Sequence, residues 1–315
     1  MNENKKIYIL SSRSGGPFSQ WCKIGEELKR RGFEVRLENN FKGWIKAHFI
    51  YGNKILMTNV PLLFRLTPKN FVLNIKGNYR KERNLIRNPL AYLYDFNKMW
   101  CQNVIVPSQY LKDILKLKNA TIIPNGINLD KKNIIKNVGK TNNFKLITIS
   151  KFFFKEKAEG VVKLAKIISS LKTKKNIVLE IYGYGTLENE IKLKIKKIKT
   201  PNNISIKFKG RTHNPKGVMK KSNIFLYWSD LDVMPNVFLE ALSCGLPIVA
   251  NDFPSFKEIL GNHNFLAKNE KEFAYFVNRL IDSPRLIKEI KNKNLKYIEK
   301  FNIKKIVDKW IDIIS

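Results

Sequence analysis

Acidic side chains are scarce in this chain: 26 Asp and Glu stand against 59 Lys and Arg, for a formal net charge of +33. Such a balance attracts polyanions, whether nucleic acid, an anionic membrane face or phosphorylated substrates. A nucleic-acid binder would need a recognition helix or an aromatic-basic sheet motif, and neither can be found, so no nucleic-acid partner is expected. The lysines do not form one block. They are spread among Ile and Asn, as in IKLKIKKIKT at residues 191–200, which reads as solvated helix face. Cysteine is also sparse. Cys22, Cys101 and Cys244 are odd in number and widely spaced, and none has a Cys or His neighbour at zinc spacing. That excludes a disulfide framework and points to reduced thiols in a reducing compartment. Hydrophobic residues make up 43% of the chain, yet no uninterrupted apolar run reaches the ~20 residues of a membrane span. The opening MNENKKIYILSSRSGG has too short an apolar stretch for a signal peptide. A cytoplasmic protein is expected, with the inner face of the membrane as a peripheral location.

A chain of 315 residues suits two domains. The stretch that organises them is residues 224–250, IFLYWSDLDVMPNVFLEALSCGLPIVA. It reads as a strand at 224–228, an acidic loop, a helix opening near Asn236, a stop at Gly245 and a second strand at 248–250. Pro235 suits a first helical turn, where its missing N–H costs nothing. Gly245 suits the left-handed residue that ends a helix, with Pro247 behind it. Two carboxylates result, Asp232 in the loop and Glu240 one turn into the helix. Both can face one ligand whose charged part rests on the free N–H groups of the helix, as in a nucleotide-sugar site.

The remaining pattern is α/β throughout. A strand at 7–12 leads into Gly15 and Gly16, where a glycine pair lets backbone N–H groups approach a phosphate or sugar. Trp21, Ile24 and Leu28 then recur at helical spacing up to Gly32, and a strand follows at 33–37. Residues 41–70 read as a strand near 48–51 and a helix near 56–66 bent by Pro61, with the aromatic residues as buried core in preference to an exposed membrane surface. A strand at 71–75 ends in KGNYRKER, where Lys76, Tyr79, Arg80, Lys81 and Arg83 form a concentrated basic loop expected to contact an anionic acceptor. Ile86, Leu90, Leu93 and Asn97 share a helix face, 104–107 is a strand, Ser108 caps a helix, and Asn125-Gly126 follows a strand at 121–124. Residues 131–143 lack apolar periodicity and read as a linker. Beyond it come a strand at 144–150, a helix from near Glu156, and a strand and helix within 177–191 joined by a Gly183-x-Gly185 turn. Glu188 stands where a dinucleotide fingerprint needs its third glycine. A strand ending at Gly210 and helices at 272–281, 284–297 and 303–313 complete the chain.

The carboxylate pair with MPNVFLEALSCGLPIVA resembles the Glu-x7-Glu motif of retaining glycosyltransferases of group 1, family 4, although Asp232 stands where that family usually has Glu. VPSQYLKDIL and IIPNGIN resemble the end of the same family's first domain. The resemblance implies the GT-B fold: two Rossmann-like domains facing each other across a cleft. Its boundaries are an acceptor domain at 1–138, a donor domain at 139–283, and C-terminal helices at 284–315 crossing back to the first domain. It also implies hexosyl-type transfer with retention from a UDP- or GDP-sugar to a glycan or lipid-linked acceptor. The nucleotide-sugar is a substrate, so no cofactor is expected, and no metal. Glu240 would bind the ribose hydroxyls and Asp232 the hydroxyls of the transferred sugar. Lys151 would neutralise the diphosphate together with Lys157, for which Lys155 competes. Gly15, Gly16, Val233, Met234, Asn236 and Val237 would line the donor, and Arg211 and Thr212 the base. Lys76 occupies the position where the family often has His, and with Tyr79 and Arg80 it would face the acceptor. From the net charge of +33, an anionic membrane surface is a further candidate partner. Asp230-Leu231-Asp232 also spells an Asp-x-Asp metal site as a minority reading. Two rivals of other classes remain: a non-catalytic binding subunit, motivated by Ser150, Lys76 and Asp232 at positions where the family prefers other residues, and, ranked last, a nucleic-acid binder, motivated by the net charge of +33.

Overall fold

The computed structural model describes residues 6–13, 15–49, 54–63, 71–82, 92–101, 103–129 and 143–315. Two compact units emerge. The first comprises Met1–Asn128, Val233–Asn236 and Lys300–Ser315, and the second Leu129–Asp232 and Val237–Glu299.

The first unit contains β1 (Lys6–Leu10), α1 (Gly16–Arg30), β2 (Glu34–Glu38), α2 (Phe41–Ala47), β3 (Lys54–Thr58), β4 (Phe71–Asn74), α3 (Tyr79–Glu82), α4 (Tyr92–Trp100), β5 (Asn103–Val106), α5 (Gln109–Ile114) and β6 (Thr121–Ile122). The strands pair in parallel in the order β2-β1-β3-β4-β5-β6. One face carries Trp21, Ile24 and Leu28 of α1, all buried, against Ile7, Ile9 and Met57. The C-terminal residues return to this face.

Residues 41–63 depart from the sequence reading. Of the strand expected near 48–51, residues 48 and 49 instead form the turn that ends a helix, α2, started by Asn40, whose side chain accepts from Gly43 N at 2.7 Å; residues 50–53 lie outside the described set. The helix expected at 56–66 is instead strand β3, flanked by β1 and β4. Leu56 and Met57 are both buried because this central strand is covered on both faces. A continuous apolar run arises that way and does not reveal a helix by itself. Pro61 falls beyond the strand. Of the helix face drawn from Ile86 to Asn97, Leu93 and Asn97 lie in α4, while Ile86 and Leu90 lie outside the described residues, as do Arg83 and nearly all of the linker expected at 131–143.

The second unit contains β7 (Asn143–Lys151), α6 (Lys155–Ser169), β8 (Asn176–Tyr184), α7 (Glu188–Lys196), β9 (Ile204–Gly210), α8 (Pro215–Met219), β10 (Ile224–Tyr227), α9 (Asn236–Ser243), β11 (Ile248–Asn251), α10 (Pro254–Leu260), β12 (Phe265–Ala267), α11 (Glu270–Asp282) and α12 (Pro284–Tyr297). A 3-10 turn at Ile298–Phe301 then leads to α13 (Ile303–Ile314). This sheet is also parallel, in the order β12-β11-β10-β7-β8-β9. Its order reverses between β10 and β7, the kind of switch point where sites of open α/β sheets form. Gly245 ends α9 with φ +74°, as its place after the helix requires.

α13 belongs to the first unit, where Trp310 packs on Trp21 with ring centroids 5.2 Å apart. Gly126 lets this helix approach, since an added Cβ would lie 2.6 Å from Ile303 Cδ1.

In the second unit, Gly160 on α6 lies against the backbone of Trp228, just past β10. An added Cβ would come within 2.9 Å of the Trp228 carbonyl carbon. Backbone atoms cannot yield as a side-chain tip can, so Gly160→Ala is expected to destabilise the protein by about 1–3 kcal/mol. Urea unfolding should show this as a lower midpoint with an unchanged slope.

Candidate active site

The carboxyl ends of four neighbouring strands, β10, β7, β8 and β9, gather most of the residues singled out in the second half of the sequence. β7 ends at Lys151, paired in register with Tyr184 at the end of β8. Arg211 follows β9, and its guanidinium lies 4.5 Å from the centroid of the Tyr184 ring. Thr212 turns its hydroxyl inward along the chain and accepts from Asn214 N at 3.2 Å.

After β10 the chain passes through Ser229 and Asp230 to Asp232. Ser229 N donates to Asn251 Oδ1 at 2.9 Å, and Asn251 Nδ2 donates back to the Ser229 carbonyl and to Asp230 Oδ1. Leu231 N in turn donates to Ser229 Oγ at 3.3 Å. A loop knitted this tightly to β11 fixes where the Asp232 carboxylate stands. One of its oxygens is ion-paired with Lys157 Nζ and the other accepts from the Tyr227 hydroxyl. Lys157 and Asp232 are both largely shielded from solvent, with side-chain exposures of 17% and 16%. Burial, and then the charge on Asp232, pushes the Tyr227 phenol well above its ordinary value, so this hydroxyl stays a hydrogen-bond donor.

Lys157 reaches this place because α6 opens at Lys155, which puts Lys157 in its first turn. The close approach at Gly160 presses that turn against the end of β10. The competitor, Lys155, is the first residue of the helix and has no ion pair with Asp232. Asp230 and Asp232, although spaced as Asp-x-Asp, have different partners. Glu240 stands in the second turn of α9, partly buried, on the same face as Asn236 one turn before it. Val237, in the first turn, is likewise partly buried.

Other singled-out residues belong to the first unit. Gly15 has φ +98°, a conformation that favours glycine, and precedes α1, whose first residue is Gly16. Asn236 Nδ2 donates to the Gly16 carbonyl at 3.4 Å, and Asn236 Oδ1 accepts from Gln20 Nε2 and Asn125 Nδ2 at 3.0 and 2.9 Å. Asn125 also bonds the Met234 carbonyl, and Val233 is buried among aliphatic and aromatic side chains of the same unit. Lys76, at the end of β4, donates to Asn125 Oδ1 at 2.9 Å. Burial lowers its pKa from 10.5 to about 7.

Tyr79 and Arg80 are placed differently from the sequence reading. Tyr79 is buried, stacks on Tyr94 and donates to Asp95 Oδ1 at 2.6 Å. Arg80 and Lys98 pair with the same carboxylate. The basic loop is therefore partly neutralised from within, and Tyr79 is a packing residue with no exposed face for an acceptor. Sequence reasoning missed Tyr227, Asn125 and Gln20. A tyrosine at a strand end is indistinguishable by pattern from core, and amides carry no spacing signature.

The chain is similar to several known proteins. The model of the family described as glycosyl transferases group 1 matches residues 130–297. An uncharacterized glycosyltransferase of Methanocaldococcus jannaschii is 25% identical over 360 residues, covering 98% of this chain and 87% of the relative. A UDP-Gal:α-D-GlcNAc-diphosphoundecaprenol α-1,3-galactosyltransferase of Escherichia coli is 27% identical over 215 residues, which span 61% of this chain and 53% of that enzyme. Among solved structures, Anabaena HepE in complex with UDP-glucose superposes with a TM-score of 0.75 at 17% identity, covering 98% of this chain and 99% of HepE. WaaG, a glycosyltransferase involved in lipopolysaccharide biosynthesis, gives 0.74 at 12%, covering 98% and 99%. At such identities these structures establish the fold, which is GT-B. The family match covers more than half of the sequence, and the chain belongs to the group 1 glycosyltransferases, family 4.

Proposed function

We propose that this glycosyltransferase moves a hexosyl group from a UDP-sugar, with retention of anomeric configuration, onto a glycan or lipid-linked acceptor. The observation that carries the reading is the carboxyl edge of the second sheet. There Lys151, Lys157, Asp232 and Glu240 stand around a strand-order reversal, beside the N-terminal turn of α9. UDP is favoured over GDP because UDP-glucose is bound to HepE and UDP-galactose is the donor named for the E. coli relative.

Each residue then has a chemical task. Glu240 accepts hydrogen bonds from the ribose hydroxyls. Lys151 and Lys157 stabilise the diphosphate as negative charge develops on it, helped by the free N–H groups of α9. Asp232 accepts from hydroxyls of the transferred sugar. Its pairing with Lys157 suits this division: a diphosphate draws the ammonium, and the released carboxylate turns to the sugar while Tyr227 holds its other oxygen. Arg211 and the Tyr184 ring it covers offer a flat surface to the base, with Thr212 and Val237 nearby in sequence to the elements that bear it. In the first unit, the N–H groups at Gly15 and Gly16 suit a phosphate, and Lys76 and Arg80 suit an anionic group of the acceptor.

Three outcomes follow. In a thermal-shift panel of UDP, GDP, ADP and their sugar conjugates, UDP compounds are expected to raise the melting temperature of the wild type by mass action. Glu240→Ala should lose that shift; a panel without any shift in the wild type would move a non-catalytic binding role ahead of transfer. With a UDP-sugar that binds, Lys157→Met should lower the rate of UDP release by about 10²–10³-fold, the usual cost of removing one charge-stabilising donor. Lys76 yields a pH dependence. Its pKa is about 7 in the folded protein against 10.5 ordinarily, so between these values the unfolded chain binds more protons and stability rises with pH. Relative to Lys76→Met, the wild type should gain stability from pH 7 towards pH 10 in urea unfolding; a constant difference would contradict the buried placement.

A further inference from the structure

At the carboxyl end of the first sheet a row of polar side chains takes over from the apolar core. In the strand order β1, β3 and β4 are neighbours, with Leu10 beside Thr58 and Thr58 beside Leu73. One residue further on, the same register brings Ser11, Asn59 and Asn74 abreast, on the face that Ile9, Met57 and Val72 turn to α1. Asn59 bears this out, since its Oδ1 accepts from Trp21 Nε1 of α1 at 2.7 Å. Asn74 is different. It is fully buried, yet neither its amide nitrogen nor its amide oxygen has a hydrogen-bond partner among the described residues, and the buried Ser11 hydroxyl has none either. An unmet amide inside a protein is costly and calls for a reason.

Lys76 belongs to the same face. Ile75 N donates to the Ile105 carbonyl at 2.8 Å, and Ile75 packs with Leu73 on the opposite side of the sheet. The alternation of an extended chain therefore runs on past β4, and Lys76 falls above Asn74. Two residues along such a chain are about 7 Å apart, a span that one carboxylate bridges between an ammonium and an amide. Lys76 is only partly buried, so a ligand reaches it from the edge of the sheet. Its ammonium donates to Asn125 Oδ1, and burial is the cause of its lowered pKa, with no carboxylate acting on it. Beyond it, Gln20 and Asn125 both donate to Asn236 Oδ1. All of these residues belong to the first unit.

The chemistry of this group narrows the ligand. A shielded ammonium among neutral amides lacks a counter-charge, and one cation balances one negative charge. A phosphate monoester or a diphosphate brings more than one, and the next cation along the chain, Arg80, is exposed and paired with Asp95. A carboxylate brings a single charge, and its approach returns a full proton to Lys76. The Asn74 amide adds a donor and an acceptor, and Ser11 a hydroxyl. A carboxylate borne on a hydroxylated ring meets all three: its oxygens accept from Lys76 and from Asn74 Nδ2, and a ring hydroxyl donates to Asn74 Oδ1. A neutral sugar leaves the ammonium uncompensated.

We propose that Lys76 and Asn74, with Ser11 beside them, bind the carboxylate of an acidic sugar such as a hexuronic acid. The inference rests on the sugar-transfer reading for its setting: the acidic sugar is either the one transferred or the end of the acceptor. Titration calorimetry on the full chain separates the two sources. One arm compares UDP-glucuronate with UDP-glucose, and the other compares methyl glucuronoside with methyl glucoside, with and without UDP. In one arm the acidic compound is expected to bind the wild type about tenfold to a hundredfold more tightly than the neutral one, the worth of a hydrogen-bonded charge. Lys76→Met and Asn74→Leu should each lose that preference. Asn74→Leu should also melt no lower than the wild type, because it removes an unmet amide. Melting curves report folding, and if Lys76→Met is unfolded, Lys76→Gln, which keeps a donor for Asn125, decides. UDP binding with no acid preference in either arm would overturn the carboxylate site and leave sugar transfer standing. Failure of UDP to bind at all would count against sugar transfer, and methyl glucuronoside alone would then decide the site. A preference retained by the folded Lys76 variant would overturn the proposal. So would inorganic phosphate binding more tightly than methyl glucuronoside in a Lys76-dependent way, which would make the occupant a phosphate.

Discussion

A parallel sheet leaves the carboxyl ends of its strands open wherever the strand order reverses, because the connections on either side run to opposite faces. The second sheet does this between β10 and β7. That constraint explains why Lys151, at the end of one of these strands, and the Ser229–Asp232 loop, after the other, lie at one opening. The first sheet reverses in the same way between β1 and β3, and the Gly15-Gly16 turn follows β1. The strand order therefore provides the openings, and a few residues at the strand ends supply charge.

Placing a shielded carboxylate at such an opening carries a desolvation cost that must be met locally. Asp232 meets it with a cation from a different helix and a phenol from its own strand. The cation arrives only because Gly160 has no side chain to hold α6 away from Trp228. A residue with no chemistry of its own thereby governs the distance between two that have it. The aromatic packing of Tyr227 on Phe238 and Phe256 fixes the phenol in turn, so a hydrophobic cluster and an ion pair share one strut.

The first unit handles polar burial differently. Gln20 and Asn125, neutral amides, both donate to Asn236 Oδ1, and Lys76 donates to Asn125. Neutral amides avoid the penalty of buried charge, and Lys76 responds by losing affinity for its proton. Nearby, Asp95 binds a tyrosine, an arginine and a lysine in one cluster. The excess of basic residues over the whole chain is thus unevenly expressed, balanced around Asp95 and unbalanced along α2.

The sequence by itself determined the class of fold and the strand-helix-strand unit at 224–250 with its two carboxylates, Asp232 and Glu240. The signals there are local: Pro235 at a first turn, Gly245 at φ +74°, and apolar periodicity within a few residues. The same locality made the helices starting at Ser108 and near Glu156 legible. Only the tertiary structure decided that residues 54–58 form a strand, because burial on both faces by neighbours distant in the chain erases the alternation that marks one. It alone decided that Phe41 and Phe49 are exposed when the sequence suggested core, and that Tyr79 points inward when the sequence suggested an acceptor site. It also set Lys157 and Tyr227 against the Asp232 carboxylate. In each case the outcome depends on which side of an element meets the sheet, and that is set by contacts between residues tens of positions apart.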